Sequence, residues 1–261
     1  NVLVFSDDAT QNDVEAIISA SGYNVNITVR HYEYDGDPDL SEYDAVILLN
    51  GETHDNDMPS DGQMALLGYV ENGGGLIIFE WIAYEVALGH YAYMTDIIPL
   101  SRSTGIQASD TYTVIAEHPV TVGLDDAFIL SHGTNVGEAN SGTVLIHSSI
   151  GGDAVVVKEY GEGKIVQFAS GGNYAGYQPF QEPNMQLLLV NAVNWVSNGS
   201  SVSYSGPVWH VSIDGSDDTG DGSGSYPFAS IQHAIGASSQ TSSDTILVHD
   251  GIYTFSTGYD I

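Results

Sequence analysis

Short apolar runs alternating with amphipathic stretches of ten to fifteen residues constrain this chain more than any other feature it carries. Residues 2–5 (VLVF) form the first run, followed by Ser6-Asp7-Asp8. Val14, Ala16, Ile17 and Ile18 then recur at helical spacing behind Thr10, a residue type that caps helices. Val25, Ile27 and Val29 alternate as on a strand with one solvated face, and residues 44–50 (DAVILLN) are a continuous buried run. Ser60 opens a second helix through Met64, Leu67 and Val70, which stops at Gly73-Gly74-Gly75 before the next buried strand, residues 76–79 (LIIF). Strands and helices in this order predict βαβ units and a parallel sheet.

Further along, residues 143–147 (TVLIH), 154–157 (AVVV) and 165–168 (IVQF) are separated by short glycine turns that leave no room for crossover helices. They predict an antiparallel extension. Residues 184–196 predict a closing helix with Leu188, Ala192 and Trp195 toward the sheet. The expected class for residues 1–197 is therefore α/β, a flavodoxin-like parallel sheet with an antiparallel extension. Residues 198–206 (NGSSVSYSG) read as a polar linker. Residues 207–261 form a second, smaller piece: a strand at 208–213, an acidic glycine-rich loop at 214–224, a short helix at 227–237 and a strand at 245–248.

Charge narrows the list of partners. The chain carries 34 Asp and Glu against 4 Lys and Arg, a formal net charge of -30. Such a surface repels nucleic acid and anionic lipid. Its self-repulsion is relieved where salt or divalent cations screen it, so an extracellular or cell-surface setting is expected. With no cysteine in the chain, disulfides, thiolate metal sites and a Cys nucleophile are excluded. No run of 18 apolar residues exists, so no transmembrane segment is expected, and any signal peptide is taken to lie outside this sequence.

Two resemblances follow from particular stretches. Tyr43-Asp44-Ala45-Val46-Ile47-Leu48-Leu49-Asn50-Gly51, the segment 66–79 (LLGYVENGGGLIIF), His118-Pro119-Val120-Thr121-Val122-Gly123-Leu124 and the helix 186–195 occur in the order found in the class I glutamine amidotransferase-like superfamily. Residues 1–197 resemble its ThuA-like branch. Trp209-His210-Val211-Ser212, Gly215-Ser216-Asp217-Asp218, Asp221-Gly222-Ser223, the segment 227–235 (PFASIQHAI) and the segment 244–253 (DTILVHDGIY) are similar to the N-terminal cap and first coil of pectate-lyase-like, right-handed parallel β-helices. A solenoid coil needs neighbours to bury its apolar face, so the natural chain is expected to continue past Ile261 or to dock another subunit there.

In open α/β sheets ligands bind beyond the carboxyl ends of the strands, near the point where strand order reverses. That rule selects Asp7 and Asp8 after the first strand, Glu52 and His54 after the third, and Glu80 and Trp81 after the fourth. The resemblance implies a catalytic Cys in the elbow after the fourth strand. Here the elbow reads Phe79-Glu80-Trp81, and the later catalytic His is missing from Ala169-Ser170-Gly171-Gly172-Asn173. Amide transfer is thus excluded. Glu80 with His54 or Glu52 remains a candidate acid/base set, against the plainer reading of Glu80 as a helix cap. Tyr84, Tyr91, Tyr93 and Trp81 suit stacking on sugars. His54, His118, His132 and His147 lack zinc-ligand spacing. Asp214, Asp217, Asp218 and Asp221 supply the oxygen ligands that calcium prefers.

These readings converge on a non-catalytic module of a secreted or cell-surface protein, used in adhesion, carbohydrate binding or extracellular assembly, with calcium as the only cofactor suggested. Polysaccharide or further copies of the chain are the expected partners. Two rivals stand beside it: an accessory domain of a polysaccharide lyase or glycoside hydrolase whose catalytic β-helix continues beyond residue 261, and a filament subunit docking through its open coil.

Overall fold

A computed structural model of the chain describes residues 1–8, 11–106, 108–131, 134–150, 152–172, 178–197, 208–217, 220, 222–224, 227–238 and 244–253. Contacts divide it into two compact units, Asn1–Asn198 and Gly199–Ile261. The expected linker 198–206 and the possible helix cap Thr10 lie outside the described residues.

In chain order the first unit comprises β1 (Val2–Ser6), α1 (Gln11–Ala20), β2 (Val25–Arg30), β3 (Ala45–Leu48), α2 (Ser60–Glu71), β4 (Gly75–Ile78) and α3 (Glu80–Ala87). It continues with β5 (Thr104–Ile106), β6 (Asp110–Val114), β7 (Ala127–Leu130), β8 (Thr134–Val136), β9 (Thr143–Ser148), β10 (Asp153–Tyr160), β11 (Gly163–Phe168) and α4 (Pro183–Val196). Nine of these strands form one sheet in the order β2-β1-β3-β4-β11-β10-β9-β6-β7. The first five run parallel and the last four antiparallel to their neighbours. This is the mixed α/β sheet expected from the sequence, with one refinement. β11 is the hinge between the halves, parallel to β4 and antiparallel to β10.

The apolar runs are continuous because both faces of these strands are covered. Val2, Val4, Ala45, Ile47 and Ile77 join Val14 and Ile18 of α1 and Leu188, Ala192 and Val193 of α4 in one cluster. Leu3, Phe5, Val46, Leu48, Leu76 and Ile78 join Leu66 and Val70 of α2 and Ile82 of α3 in the other. Alternate residues of each strand thus feed opposite layers, and the strand order reverses between β1 and β3. Trp195 is only partly buried and sets its ring edge-on to His118, centroids 4.9 Å apart. His118 itself caps the short turn at Pro119, its Nδ1 accepting from the Val120 N–H at 3.2 Å. No helix among the described residues is long and apolar enough to cross a membrane.

The second unit contains β12 (Val208–Val211), α5 (Ile231–Ala237) and β13 (Thr245–Val248), with β12 and β13 paired in parallel. Trp209, Val211, Phe228 and Ala234 make its small core. The helix begins later than the expected residue 227 because Phe228 is drawn into a parallel bridge with Val211, and Ser230 then caps the helix by accepting from the His233 N–H. One parallel strand pair with a helix between its strands is what the described residues establish here.

Candidate functional site

The carboxyl ends of β1, β3, β4 and β11 lie at one level. Extending the register puts Asp7, Asn50 and Glu80 side by side across the sheet, with Ala169 and Ser170 beyond them. Asp7 is 2% exposed and is occupied internally. Its carboxylate accepts from the Gly51, Glu52 and Thr53 N–H groups, each at 3.0 Å, and from the Thr53 hydroxyl at 2.9 Å. It is therefore the anchor of the loop after β3. Asp8 points elsewhere and is held by Arg30, whose Nη2 lies 2.7 Å from Oδ1. Glu52 is exposed on that loop.

Beneath the loop, His31 is fully buried. Its Nε2–H donates to the Thr53 carbonyl at 2.8 Å and its Nδ1 accepts from the Tyr91 hydroxyl at 2.7 Å, which fixes one neutral tautomer. Burial holds its pKa below the usual histidine value. Tyr91 therefore belongs to the support of the site, while Tyr93 is exposed.

Four side chains gather around Glu80. The carboxylate is 5% exposed and lies 2.6 Å from Nη1 of Arg102. The Arg102 guanidinium sits 4.6 Å from the Tyr84 ring centre and 5.3 Å from that of Trp81. His54 packs against Trp81 with centroids 4.3 Å apart and planes tilted by 31°, and its Nδ1–H donates to the Gly51 carbonyl at 2.7 Å. The loop after β11 completes the wall: a Cβ on Gly171 would meet Trp81 Nε1 at 3.1 Å and Glu80 Oε2 at 3.6 Å. Burial pushes the Glu80 carboxyl up to about 7, against the opposing pull of Arg102. The Glu80 backbone is ordinary helix. Among the described non-glycine residues positive φ occurs at Asp8, Asp55 and Tyr91, so the strained turn that exposes a nucleophile after a strand is not formed at Glu80.

Of the expected site residues, the fold brings His54, Glu80 and Trp81 together, and sets Asp7 to structural use and Asp8 aside. Arg102 escaped notice although it is one of only four Lys and Arg in the chain. In so acidic a sequence each cation is a signal. Asn50 escaped too: it is 1% exposed, and among the described residues neither its amide nitrogen nor its oxygen has a hydrogen-bond partner, an unspent donor and acceptor at the strand-order reversal. In the second unit Asp217 Oδ1 accepts from the Ala229 and Ser230 N–H groups at 2.9 Å each. Asp218, Asp221 and His132 lie outside the described residues. Among those described, no group of three or more His, Asp or Glu is placed to hold a metal ion.

Solved structures share this architecture. A ThuA-like protein from Parabacteroides merdae is similar at 18% identity with a TM-score of 0.61, covering 76% of this chain and 89% of that one. A cytoplasmic protein from Salmonella typhimurium is similar at 17% identity and 0.58, covering 75% and 98%. A β-galactosidase from Rahnella is similar at 15% identity and 0.55, covering 74% of this chain but 30% of that one. At these identities the likeness concerns the fold. No curated protein matches the chain. The family described as ThuA, trehalose utilisation, matches residues 1–196, three quarters of the sequence, and to this ThuA family the chain belongs.

Proposed function

We propose that the first unit is a non-catalytic carbohydrate-binding module acting outside the cell. The observation that carries this reading is the Glu80–Arg102 ion pair set beside Trp81, Tyr84 and His54. The acid at the elbow is engaged by the Arg102 guanidinium at 2.6 Å, while the aromatic faces suit the CH-rich faces of a sugar ring. Asn50 adds the kind of bidentate polar group that vicinal hydroxyls use. The family description makes trehalose and related neutral disaccharides the first ligands to test. Calorimetry is expected to show binding without turnover, weakened about tenfold or more by Trp81→Ala. Product release from a glycoside or amide, abolished by Glu80→Ala, would overturn the proposal.

The second reading is an accessory domain of a larger carbohydrate-active enzyme. It is favoured by the appearance of this fold as a minor part of a β-galactosidase chain. Further coils beyond Ile261 bearing a groove of clustered Asp, Lys or Arg would establish it. We read the second unit as the start of a parallel β-helix on the strength of the parallel β12–β13 pair, the Val211–Phe228 bridge and the exposed Leu247 and Val248, which leave apolar surface on both sides of β13 for a next coil or a next subunit to cover. A strict monomer by light scattering at both high and low salt counts against filament assembly.

The net charge of -30 supports an extracellular, salt-containing setting. Thermal unfolding is expected to shift down by about 5 °C when sodium chloride is dialysed away, as unscreened carboxylates repel. A midpoint indifferent to salt contradicts it.

A further inference from the structure

In the second unit two imidazoles converge. His210 lies on β12 and His249 follows β13, and His210 Nδ1 stands 3.0 Å from His249 Nε2. Their ring centroids are 5.3 Å apart with planes at 35°, so the rings meet edge to edge instead of stacking. Both backbones are pinned. The His210 N–H donates to the Gly222 carbonyl at 2.7 Å, the His210 carbonyl accepts from the Phe228 N–H at 3.0 Å, and the His249 N–H donates to the Val211 carbonyl at 2.9 Å. The His249 carbonyl also accepts from the Tyr253 hydroxyl at 2.9 Å.

We infer that His210 and His249 form a surface site for one late divalent transition-metal ion, of the copper, nickel or zinc class. A tetrahedral ion about 2.0–2.1 Å from each nitrogen sets the two nitrogens roughly 3.3 Å apart, close to the observed spacing. His249 is exposed and His210 half-buried, and a rotation of each ring turns both lone pairs onto the same ion. The proton now shared between the facing nitrogens moves through solvent to a far ring nitrogen, leaving both rings neutral. Two imidazoles select such ions over calcium and magnesium, which prefer oxygen. Water fills the remaining positions, since no third His, Asp or Glu joins the pair among the described residues. The acidic chain enriches cations around the site. Bound metal would tie β12 to the turn after β13 across a unit in which, among the described residues, four buried apolar side chains make the core.

The test is a titration of the full chain with copper(II), nickel(II) and zinc chlorides, in excess calcium to occupy the acidic surface. One ion per chain is expected, copper tightest. His210→Gln and His249→Gln should each weaken binding at least about tenfold, while His147→Gln in the other unit leaves it unchanged. Binding unaltered in both Gln variants overturns the inference. The unmodified chain gives an independent answer. Copper EPR should report two equatorial nitrogens, and copper–ascorbate oxidation should mark His210 and His249 by mass spectrometry. Oxygen-only coordination, or oxidation located elsewhere, overturns it as well.

Discussion

Replacing Asp7 with alanine is expected to destabilise the first unit by about 4 kcal/mol, read as a shift of the urea midpoint without a change of slope. The carboxylate satisfies three backbone N–H groups and one hydroxyl at once, in a place nearly closed to water. Alanine leaves those donors buried with nothing to accept them, and bonds to a charged acceptor are the stronger kind. Asp7→Asn should lose about half as much. One amide oxygen can still serve the Glu52 and Thr53 donors, but the NH2 group faces the Gly51 N–H with a donor of its own. Sugar binding should fall in parallel, because the same loop carries His54. An Asp7→Ala chain as stable as the parent contradicts this account of the loop.

The second large effect depends on pH. Burial raises the Glu80 carboxyl to about 7, well above its value in an unfolded chain. Between roughly pH 4.5 and 7 the folded protein therefore holds a proton that the unfolded chain releases, and the slope of stability against pH is negative for this group. Its contribution is complete below the unfolded value and is lost as pH rises through about 7. Glu80→Gln, neutral at every pH, removes that dependence. The stability difference between the variant and the parent should grow in the variant's favour by about 3 kcal/mol from pH 4 to pH 8. A constant difference across that range, measured by denaturant unfolding at each pH, shows that Arg102 keeps Glu80 ionised throughout.

The parallel half of the sheet was legible because its strands are buried on both faces, so β1, β3 and β4 appear as unbroken apolar runs and their helices as 3.6-residue patterns. β6 and β7 were not foreseen. β6 reads DTYTV with only Asp110 and Tyr112 buried, and Ile129 of β7 faces solvent, a pattern that a single sequence shares with many loops. Asp110 lies inward because Ser148 and Ser149 bond it, a pairing across 38 residues that local reading does not supply.

The site was legible where topology dictates position. The strand ends gave Glu80, Trp81 and His54 through the rule for open sheets. Asp7 was also found, but with its role inverted: an acid after a strand suggests a ligand group, and only the three facing N–H groups reveal an anchor. Arg102 comes from a segment between elements and reaches Glu80 across 22 positions of sequence, so spacing could not announce it.

The position of β11 has a consequence for synthesis. This strand seats between β4 and β10, with Gln167 opposite Ile78. A chain growing from its amino end thus exposes the open flank of the Gly75–Ile78 strand until almost ninety further residues have been made. Ribosome-bound intermediates ending before Gly163 should be sticky and protease-sensitive, and emergence of Phe168 should convert them abruptly to a resistant form. In this protein the sheet's last-made strand is its keystone, bonded on one flank to the parallel half and on the other to the antiparallel half.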